Sequence, residues 1–429
     1  MGATLSEIIL VAVLALPIVI ALMRSRDIDV DAFVFNAGGN SLLKATASVV
    51  CSNVGIGTFV AIFLFTKASP VIGVSIVAAA TLGLLLCAVL APRIHDISRR
   101  TGTYGLVDLI VVTHGVSRPI LVWLPVAVVF VLRIMIQLIA LGLILGEAFG
   151  LSPLVALAAA TLFSSLYVII GGYRAATETD LFHAVVIVAA MAFVAFALPQ
   201  GAQGGRDFLD LGPYQPVLLM GVFLFLPFSA VLGIDNWQRM STAQSATVAR
   251  RAYVAGTVIC GAIYAAIAAA ALLPGTQDDV LASFRGLMPA GAPWLAEALF
   301  ASAIISSIDT FMVPLTSTFA RQGLDLRQLR LLVVGLFVLI AVLAALIGDI
   351  LSSVIAAFNS LVVFLPAVCG AMLLKNPRPE AATVSMSVGV AATLLLTSVD
   401  QNSAAPIGFA ISTLAYWLIQ RRPAASKAG

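Results

Sequence analysis

Two polar stretches inside long apolar segments carry the groups that could bind an ion. Residues 47–59 contain two glycines among serine, asparagine and threonine, and residues 301–310 contain the adjacent hydroxyls of Ser306 and Ser307. Glycine and small polar side chains weaken an α-helix, and broken membrane helices offer free backbone carbonyls to ligands. Carbonyl and hydroxyl oxygens suit a hard monovalent cation such as Na⁺, whereas transition metals prefer imidazole or thiolate. The pattern favours a sodium site where the two segments meet at mid-depth.

The same residues also have a structural interpretation, because small residues let membrane helices pack closely and a serine can bond to its own helix. Asp309 follows the serines, and a carboxylate inside an apolar helix is costly unless something polar uses it. A third stretch, residues 171–183, contains Asp180. It predicts either an ion ligand or an inner loop in which Thr179 caps a helix that has Asp180 in its first turn.

The composition decides which class of protein must hold these residues. The chain has 429 residues, of which 61% are hydrophobic and 10% charged, whereas soluble domains are about 45–50% apolar and about 25% charged. The excess apolar surface must face lipid, which excludes a cytoplasmic enzyme, a secreted disulfide scaffold and a nucleic-acid-binding protein. The four cysteines all fall in apolar runs, so they are expected to act as small hydrophobic residues rather than disulfides or metal ligands.

Enzymatic catalysis is not expected. The sequence has no metalloprotease, diphosphate or nucleophile-elbow motif, and its three histidines, His95, His114 and His183, are scattered. We therefore expect no catalytic or cofactor-binding residues. His95 and His114 fall on an expected inner loop and are predicted to be solvated.

Runs of about 20 apolar residues, the length that crosses a bilayer, predict an all-α polytopic membrane protein with about thirteen transmembrane helices. The first run lacks the basic start and the cleavage site of a signal peptide, so it is expected to remain as a helix. The expected spans are 6–23, 41–66, 70–91, 118–148, 152–171, 176–198, 214–235, 248–273, 293–320, 331–348, 350–374, 381–398 and 403–420.

The distribution of lysine and arginine predicts the orientation, because cytoplasmic connections are enriched in these residues. With the N-terminus outside and the C-terminus in the cytoplasm, nineteen of the twenty-three cations fall inside, and only Lys67, Arg206 and Arg285 fall outside. We expect a multi-pass protein of the plasma membrane, the inner membrane of a bacterium. The remaining cation, Arg133, lies in the middle of the fourth span.

Arg133 is the residue most informative about cargo, since a cation at mid-depth normally faces a cavity and pairs with a negative group. One interpretation is an intramembrane salt bridge with Asp309 or Asp235. The other is that Arg133 binds a carboxylate of the cargo through two hydrogen bonds. An organic anion is the favoured solute.

Three segments together resemble the sodium:solute symporter family, which includes proline, sugar and sialic-acid carriers. Residues 171–180 resemble its Gly-Gly-x-x-Ala…Thr-Asp-x-x-Gln signature, with His183 in place of the glutamine. Residues 303–309 resemble its helix-eight pattern Ala-x-x-Ser-Ser/Thr-x-Asp/Ser, and residues 53–55 are similar to the unwound part of its helix one. The resemblance extends from about residue 6 to 420.

The resemblance implies a five-plus-five inverted repeat preceded by one extra helix. Residues 1–40 would hold the extra N-terminal helix and an inner loop, and residues 41–198 the first repeat. Residues 214–374 would form the second repeat, and residues 375–429 two C-terminal helices and a short tail. Spans two to six would begin inside and spans seven to eleven outside, as an inverted repeat requires.

The resemblance also implies ligands, by position in this sequence. The conserved sodium site would comprise the backbone carbonyls of Cys51, Val54 and Ala303 and the hydroxyls of Ser306 and Ser307. Some members have a second sodium site, which here would use Asp180 with the two serines. Asp180 could instead bind a proton or gate the inner exit, so H⁺ coupling stays possible.

Solute and gate residues follow from the same resemblance. Asn53, Gly57 and Thr58 occupy the helix-one positions that contact solute in proline or sugar carriers, and sialic-acid carriers have an arginine in the helix of Arg133. Gln137 is a weaker match in that helix. At the inner end of span seven, Asp235 is unusual for a gate. Trp237 could plug the inner path or anchor the helix at the membrane interface.

These observations predict Na⁺-coupled symport of a small organic solute, favoured to carry a carboxylate, by alternating access. The expected partners are the solute, Na⁺ and the lipid bilayer, and no nucleic acid. The alternative is a transporter-like receptor module that senses a solute for a partner signalling protein.

Overall fold

The computed structural model describes residues 5–24, 28–198, 208–347, 357 and 360–422. These residues form an all-helical bundle, with no β-strand among them. The helices are α1 (Leu5–Arg24), α2 (Val30–Val34), α3 (Leu42–Asn53), α4 (Ile56–Ala68), α5 (Pro70–Thr101), α6 (Leu106–His114), α7 (Ile120–Phe149), α8 (Pro153–Ala197), α9 (Pro216–Val231), α10 (Ile234–Thr242), α11 (Ala246–Ala271), α12 (Val280–Leu287), α13 (Trp294–Arg321), α14 (Leu326–Ile347), α15 (Leu365–Leu373), α16 (Pro379–Thr397) and α17 (Gln401–Gln420).

The multi-pass architecture is confirmed, but the count of thirteen spans is not. Eight helices are long and apolar enough to cross a membrane, or up to ten when each of two bent pairs counts as one span. Helix α8 covers 45 residues in two segments that meet at a kink at Gly172, and the two segments correspond to the expected spans 152–171 and 176–198. Residues 350–356, 358 and 359 of the expected span 350–374 lie outside the described residues.

The positions of the breaks correct one expectation. The span at 41–66 is broken as expected, since α3 and α4 meet at an angle of 52°. The second break lies between α9 and α10, which meet at 44°, and not in the ninth span, where α13 is continuous. The two breaks fall in the first span of each expected repeat, while the repeat boundaries themselves stay a prediction.

Helix α13 is continuous because it is buried on every side. Its apolar window is entirely enclosed by protein, and it packs against α1, α7 and α8. With no water nearby, its hydroxyls bond to carbonyls one turn earlier, as Ser306 and Thr310 do to Ser302 and Ser306. These two hydroxyls are satisfied within the helix, so they do not require a break in it.

Residues 171–183 do not form the alternative loop described above. They lie inside α8, which kinks at Gly172 and continues as helix. The hydroxyl of Thr179 donates to the carbonyl of Ala176 within the same helix, so it does not act as a cap. Gly172 adopts φ 52° and ψ −148°, a conformation that is essentially restricted to glycine.

Two further expectations concern single side chains. His95 and His114 are buried rather than solvated, and the ring of His114 is hydrogen-bonded to the Tyr416 hydroxyl at 3.0 Å. Arg206, counted among the outside cations, lies outside the described residues. The other two outside cations lie close to the start of α12. Lys67 pairs with Asp278 at 2.8 Å, two residues before α12, and Arg285 lies on α12 itself.

The kink in α8 generates a stability prediction. A Cβ at Gly172 would lie 2.3 Å from the carbonyl oxygen of Phe33, so Gly172→Ala adds a steric clash to backbone strain. We expect a loss of about 3 kcal/mol or more, measured as a fall in the unfolding temperature in detergent. Gly102→Ala is the matched control, because Gly102 also has a positive φ but nothing lies within 4 Å of its Cβ position. Equal falls for the two variants would contradict the close approach of Phe33.

Candidate functional site

The break between α3 and α4 is the centre of the site. Helix α3 ends at Asn53, Val54 has non-helical angles (φ −109°, ψ 57°), and Gly55 is extended at the start of α4. A helix end leaves its last carbonyls without backbone amide partners, and the membrane interior supplies no water to replace them. A Cβ at Gly55 would lie 2.5 Å from the Ser307 hydroxyl. Glycine is therefore required for α13 to approach the break.

Four of the five oxygens of the expected sodium site come together here. The Ser307 hydroxyl lies 2.8 Å from the carbonyl of Ala303 and 3.5 Å from the carbonyl of Cys51. The Ser306 hydroxyl lies 3.4 Å from the same Ala303 carbonyl. Val54, whose carbonyl is the fifth, is fully buried at the break beside them.

The chemistry of this donor set fits Na⁺. Each serine hydroxyl donates its hydrogen to a carbonyl of its own helix, Ser306 to Ser302 at 2.8 Å and Ser307 to Ala303, and keeps its lone pairs as acceptors. The remaining ligands are backbone carbonyls. A shell of neutral oxygens suits a hard alkali cation better than a transition metal, and no cluster of three or more His, Cys, Asp or Glu residues that could hold a metal exists in the described ranges.

Asp180 lies near this site but contacts different residues from those expected. Its carboxylate accepts a hydrogen bond from the Ser48 hydroxyl and lies 3.7 Å from the guanidinium of Arg239. The Cys51 thiol donates to its backbone carbonyl at 3.2 Å. The hydroxyls of Ser306 and Ser307 bond elsewhere. The negative charge of Asp180 is thus partly neutralised by Arg239.

Asp309 is the second buried carboxylate in this region, and it lies within electrostatic range of Asp180 and Arg239. The nearby hydroxyls of Tyr167 and Thr310 donate to backbone carbonyls, those of Ile305 and Ser306. Neither carboxylate oxygen of Asp309 accepts a hydrogen bond from the described part of the chain. Of the two acids, Asp180 forms the ion pair with Arg239.

A cavity of about 310 Å³ begins beside the break. Its polar wall includes four of the residues expected to contact solute or form a gate, namely Asn53, Thr58, Arg133 and Asp235. Its apolar wall is supplied by α4, α5 and α9 and includes Ile62, Phe65, Leu84, Val222 and Phe225. An apolar pocket with a few converging polar groups is the usual form of a small-molecule site.

Arg133 lies at the middle of α7, and its guanidinium packs over two aromatic rings. The guanidinium carbon is 4.5 Å from the ring centre of Phe311 and 5.4 Å from that of Phe130. Such cation–π contacts hold the side chain in position in the wall of the cavity. Of the two expected acidic partners, Asp235 lines the same cavity.

Gly57 and Gln137 do not line the main cavity. Both border a smaller space of about 20 Å³ that shares Thr58 and Arg133 with the main cavity. Gln137 reaches across to the break, where its carbonyl oxygen accepts the backbone N–H of Ile56 at 3.4 Å. These two residues thus lie behind the wall of the main cavity.

The two expected gate residues have different surroundings. Asp235 is in the first turn of α10 and lines the cavity. Trp237 is 2% exposed, and its indole N–H donates to the carbonyl of Val231 at 2.5 Å. Trp237 therefore ties α10 to α9 across the second break, and its burial excludes an interface anchor.

Two tyrosines of α11 complete the site and were not expected from the sequence. The Tyr264 hydroxyl donates to the carbonyl of Asn53 at 2.8 Å, and the Tyr253 hydroxyl donates to the side chain of Asn236 at 2.8 Å. The side chains of Asn53 and Asn236 are themselves 3.3 Å apart. The available signal was a tyrosine at mid-depth of an alanine-rich span, since membrane tyrosines usually lie at the interface.

A polar network lies on the other side of the oxygen cluster around Ser307, away from the cavity. Arg239 donates to the hydroxyl of Thr310 at 2.7 Å, and the Tyr173 hydroxyl is 2.9 Å from that of Thr242. The Asn40 amide donates to both hydroxyls at 3.3 Å. The network joins α8, α10 and α13 through side-chain hydrogen bonds.

Comparison with known proteins gives structural matches only. No protein-family model and no curated sequence matches the chain. A solved structure of a substrate-bound, outward-open Na⁺-coupled sialic acid symporter matches with a TM-score of 0.80 and 15% sequence identity, over 98% of each chain. A closed nucleobase-cation-symport-1 family transporter with bromovinylhydantoin bound matches with a TM-score of 0.59 and 13% identity, over 92% of this chain and 97% of the other.

Both neighbours are transporters rather than enzymes. At these identities the likeness concerns the fold. The chain therefore has the fold of a cation-coupled transporter, and its resemblance to the sodium:solute symporters is confirmed at that level.

Proposed function

We propose that this protein is a secondary active transporter that couples the entry of a small, carboxylate-bearing organic solute to Na⁺. Its N-terminus would lie outside the plasma membrane and its C-terminus in the cytoplasm. One observation carries the proposal: the break after α3 borders both the oxygen cluster around Ser307 and the cavity that contains Arg133.

The shared break supplies a physical basis for coupling. The carbonyl of Cys51 belongs to the oxygen cluster, while Asn53 and Thr58, a few residues further on, line the cavity. A cation held between Cys51 and Ser307 would fix α3 against α13 and so fix the cavity wall. Two ligands that stabilise the same arrangement bind cooperatively, and the coupling is reciprocal.

Alternating access follows from the unequal closure of the two sides. The cavity extends along α4 and α9 towards Phe65, Tyr214 and Leu218, whereas the network around Arg239 closes the opposite side. The positive-inside pattern assigns the open side to the exterior. Inward release would require the Arg239 network to separate while the cavity closes.

Arg133 supports a carboxylate on the solute. It is a buried guanidinium in the cavity wall, held by two aromatic rings, and guanidinium groups bind carboxylates through paired hydrogen bonds. An anion would also benefit from cotransport with a cation, because the two charges compensate.

The cation site predicts that Ser307→Ala weakens Na⁺ binding. Loss of one ligand oxygen is expected to raise the Na⁺ concentration for half-maximal thermal stabilisation by about tenfold, measured against choline chloride at equal ionic strength. Ser317→Ala is the matched control, because Ser317 is buried on the same helix and bonds to its own backbone, about 15 Å along the axis. Equal stabilisation by Na⁺ and choline in the unaltered protein would contradict the sodium site.

The solute site predicts that Arg133→Gln weakens the binding of carboxylates. Loss of charge-assisted hydrogen bonds is expected to cost about 1.5–3 kcal/mol, roughly 10- to 100-fold in Kd, in a calorimetric or thermal-shift screen of small carboxylates. Arg421→Gln is the control, because Arg421 also packs on an aromatic ring, at 4.0 Å from Trp417, but lies at the surface. Carboxylate binding that survives Arg133→Gln unchanged would remove the carboxylate from the proposal.

Uptake distinguishes transport from sensing. In proteoliposomes with an inward Na⁺ gradient, we expect accumulation of a bound carboxylate above its external concentration, and collapse of that accumulation when Na⁺ is equal on both sides. Arg239→Gln should reduce flux while retaining solute binding, because it disrupts the closed side and leaves the cavity wall in place. Saturable binding without any flux in the unaltered protein would favour a receptor module instead.

A further inference from the structure

We propose that the solute is a zwitterion, with its carboxylate at Arg133 and a cationic nitrogen at Asp235. This inference rests on the function proposed above and adds the second charge of the solute. It arises from the presence of two opposite charges in the wall of one cavity.

The two charged groups reach the cavity from different helices. Arg133 comes from the middle of α7, and Asp235 comes from the first turn of α10, just after the second break. Each lies within the electrostatic field of the other. A simple anion bound at Arg133 would be repelled by the carboxylate of Asp235, and a simple cation would be repelled by the guanidinium. A zwitterion matches both groups.

Asp235 lies within electrostatic range of Arg133 and Arg239, but its carboxylate is not in ion-pair contact with either guanidinium. The residue is 2% exposed and forms no ion pair with another described residue. Its Oδ1 atom accepts no hydrogen bond from the described residues. The start of α10 stabilises a negative charge to some extent, but a buried carboxylate within a membrane protein normally marks a ligand or ion pathway.

Asn236, the next residue of α10, has hydrogen-bond partners for both its side-chain oxygen and its side-chain amide. Asn236 receives the hydroxyl of Tyr253 on its side-chain oxygen at 2.8 Å and donates from its amide to the carbonyl of Ala230 at 2.8 Å. Its position is therefore determined by the protein itself. Asn236 also lines the cavity, so the contrast identifies Asp235 as the charged group that α10 contributes to the cavity wall.

The remaining walls restrict the rest of the solute. The volume of about 310 Å³ is at the lower end for ligand sites, and Ile62, Leu84 and Phe225 offer no polar group to a substituent. The class that fits is a compact zwitterion with an apolar body, such as a neutral amino acid with an apolar side chain or a betaine.

The test compares each neutral amino acid with the two molecules obtained by deleting one charge. Leucine, 4-methylpentanoate and 3-methylbutylamine form one such set, and valine and phenylalanine sets extend it. Affinities are measured by calorimetry on the full chain in detergent, with NaCl and with choline chloride. At least one zwitterion is expected to bind at least tenfold more tightly than either of its single-charge partners.

Two variants test the assignment of the charges. Asp235→Asn should weaken the zwitterion about tenfold or more while leaving the deaminated carboxylate unchanged or tighter. Arg133→Gln should weaken both carboxylates and spare the amine. Asp235→Glu should restore part of the preference for the zwitterion. Asp278→Asn is the control, because the Asp278 side chain is 90% exposed and does not line the cavity. A cooperative thermal unfolding transition in detergent identifies variants that have folded.

The outcomes separate the two proposals. The inference is overturned if no zwitterion exceeds its deaminated partner, or if Asp235→Asn leaves that preference intact. In either case Na⁺-dependent binding of a carboxylate would still support the symport proposed above. Zwitterion binding that is indifferent to Na⁺ but lost in Asp235→Asn would support the charge assignment and contradict coupling to sodium.

Discussion

The interruption of the helix at Val54 and Gly55 is the constraint on which the rest of the site depends. Carbonyls released inside a membrane protein must find partners in the protein, because lipid offers none. Here the carbonyl of Asn53 receives hydroxyls from Tyr264 and Thr58, and the carbonyl of Cys51 is approached by Ser307. The neighbouring helices are placed by this requirement. The same requirement makes the break a natural location for a cation.

Buried charge is distributed unequally on the two sides of this break. On the closed side, Arg239 contacts the hydroxyl of Thr310 and the carboxylate of Asp180, so opposite charges compensate within the protein. On the cavity side, Arg133 and Asp235 lie in the wall of a single space. Because Arg239 and Asp180 compensate each other, separating them would expose charge, and this favours the closed arrangement. The opposite charges of Arg133 and Asp235 in a cavity wall instead favour a ligand that carries the complementary pair.

The likeness to transporters of known structure extends over nearly the whole chain at 15% identity. Such a likeness concerns the arrangement of helices, and a fold does not specify a cargo. The cargo depends on the few side chains that project into the cavity. Asn53 and Asp235 line the cavity of this chain. We therefore infer the solute from these side chains and not from the solutes of the structural neighbours.

Several features were determined by local sequence. The apolar runs specify membrane helices because transfer into lipid depends on composition. Gly55 and Gly57 locate the first break, because glycine weakens an α-helix wherever the helix lies. The adjacent serines and the mid-span Arg133 could be identified for a similar reason, since polar groups inside lipid are costly and rarely accidental.

Tertiary packing decided the remainder. The sequence around Gly172 is compatible with either a loop or a kinked helix. In the fold it is a kinked helix, and the backbone of Phe33 packs against the kink. The second break lies between α9 and α10 rather than among the serines of α13, where Ser306 and Ser307 bond to carbonyls of their own enclosed helix. The pairing of Arg239 with Asp180 and of Tyr264 with Asn53 joins helices distant in sequence. Local propensity and hydropathy carry no information about which helices become neighbours, so only the folded chain brings these groups together.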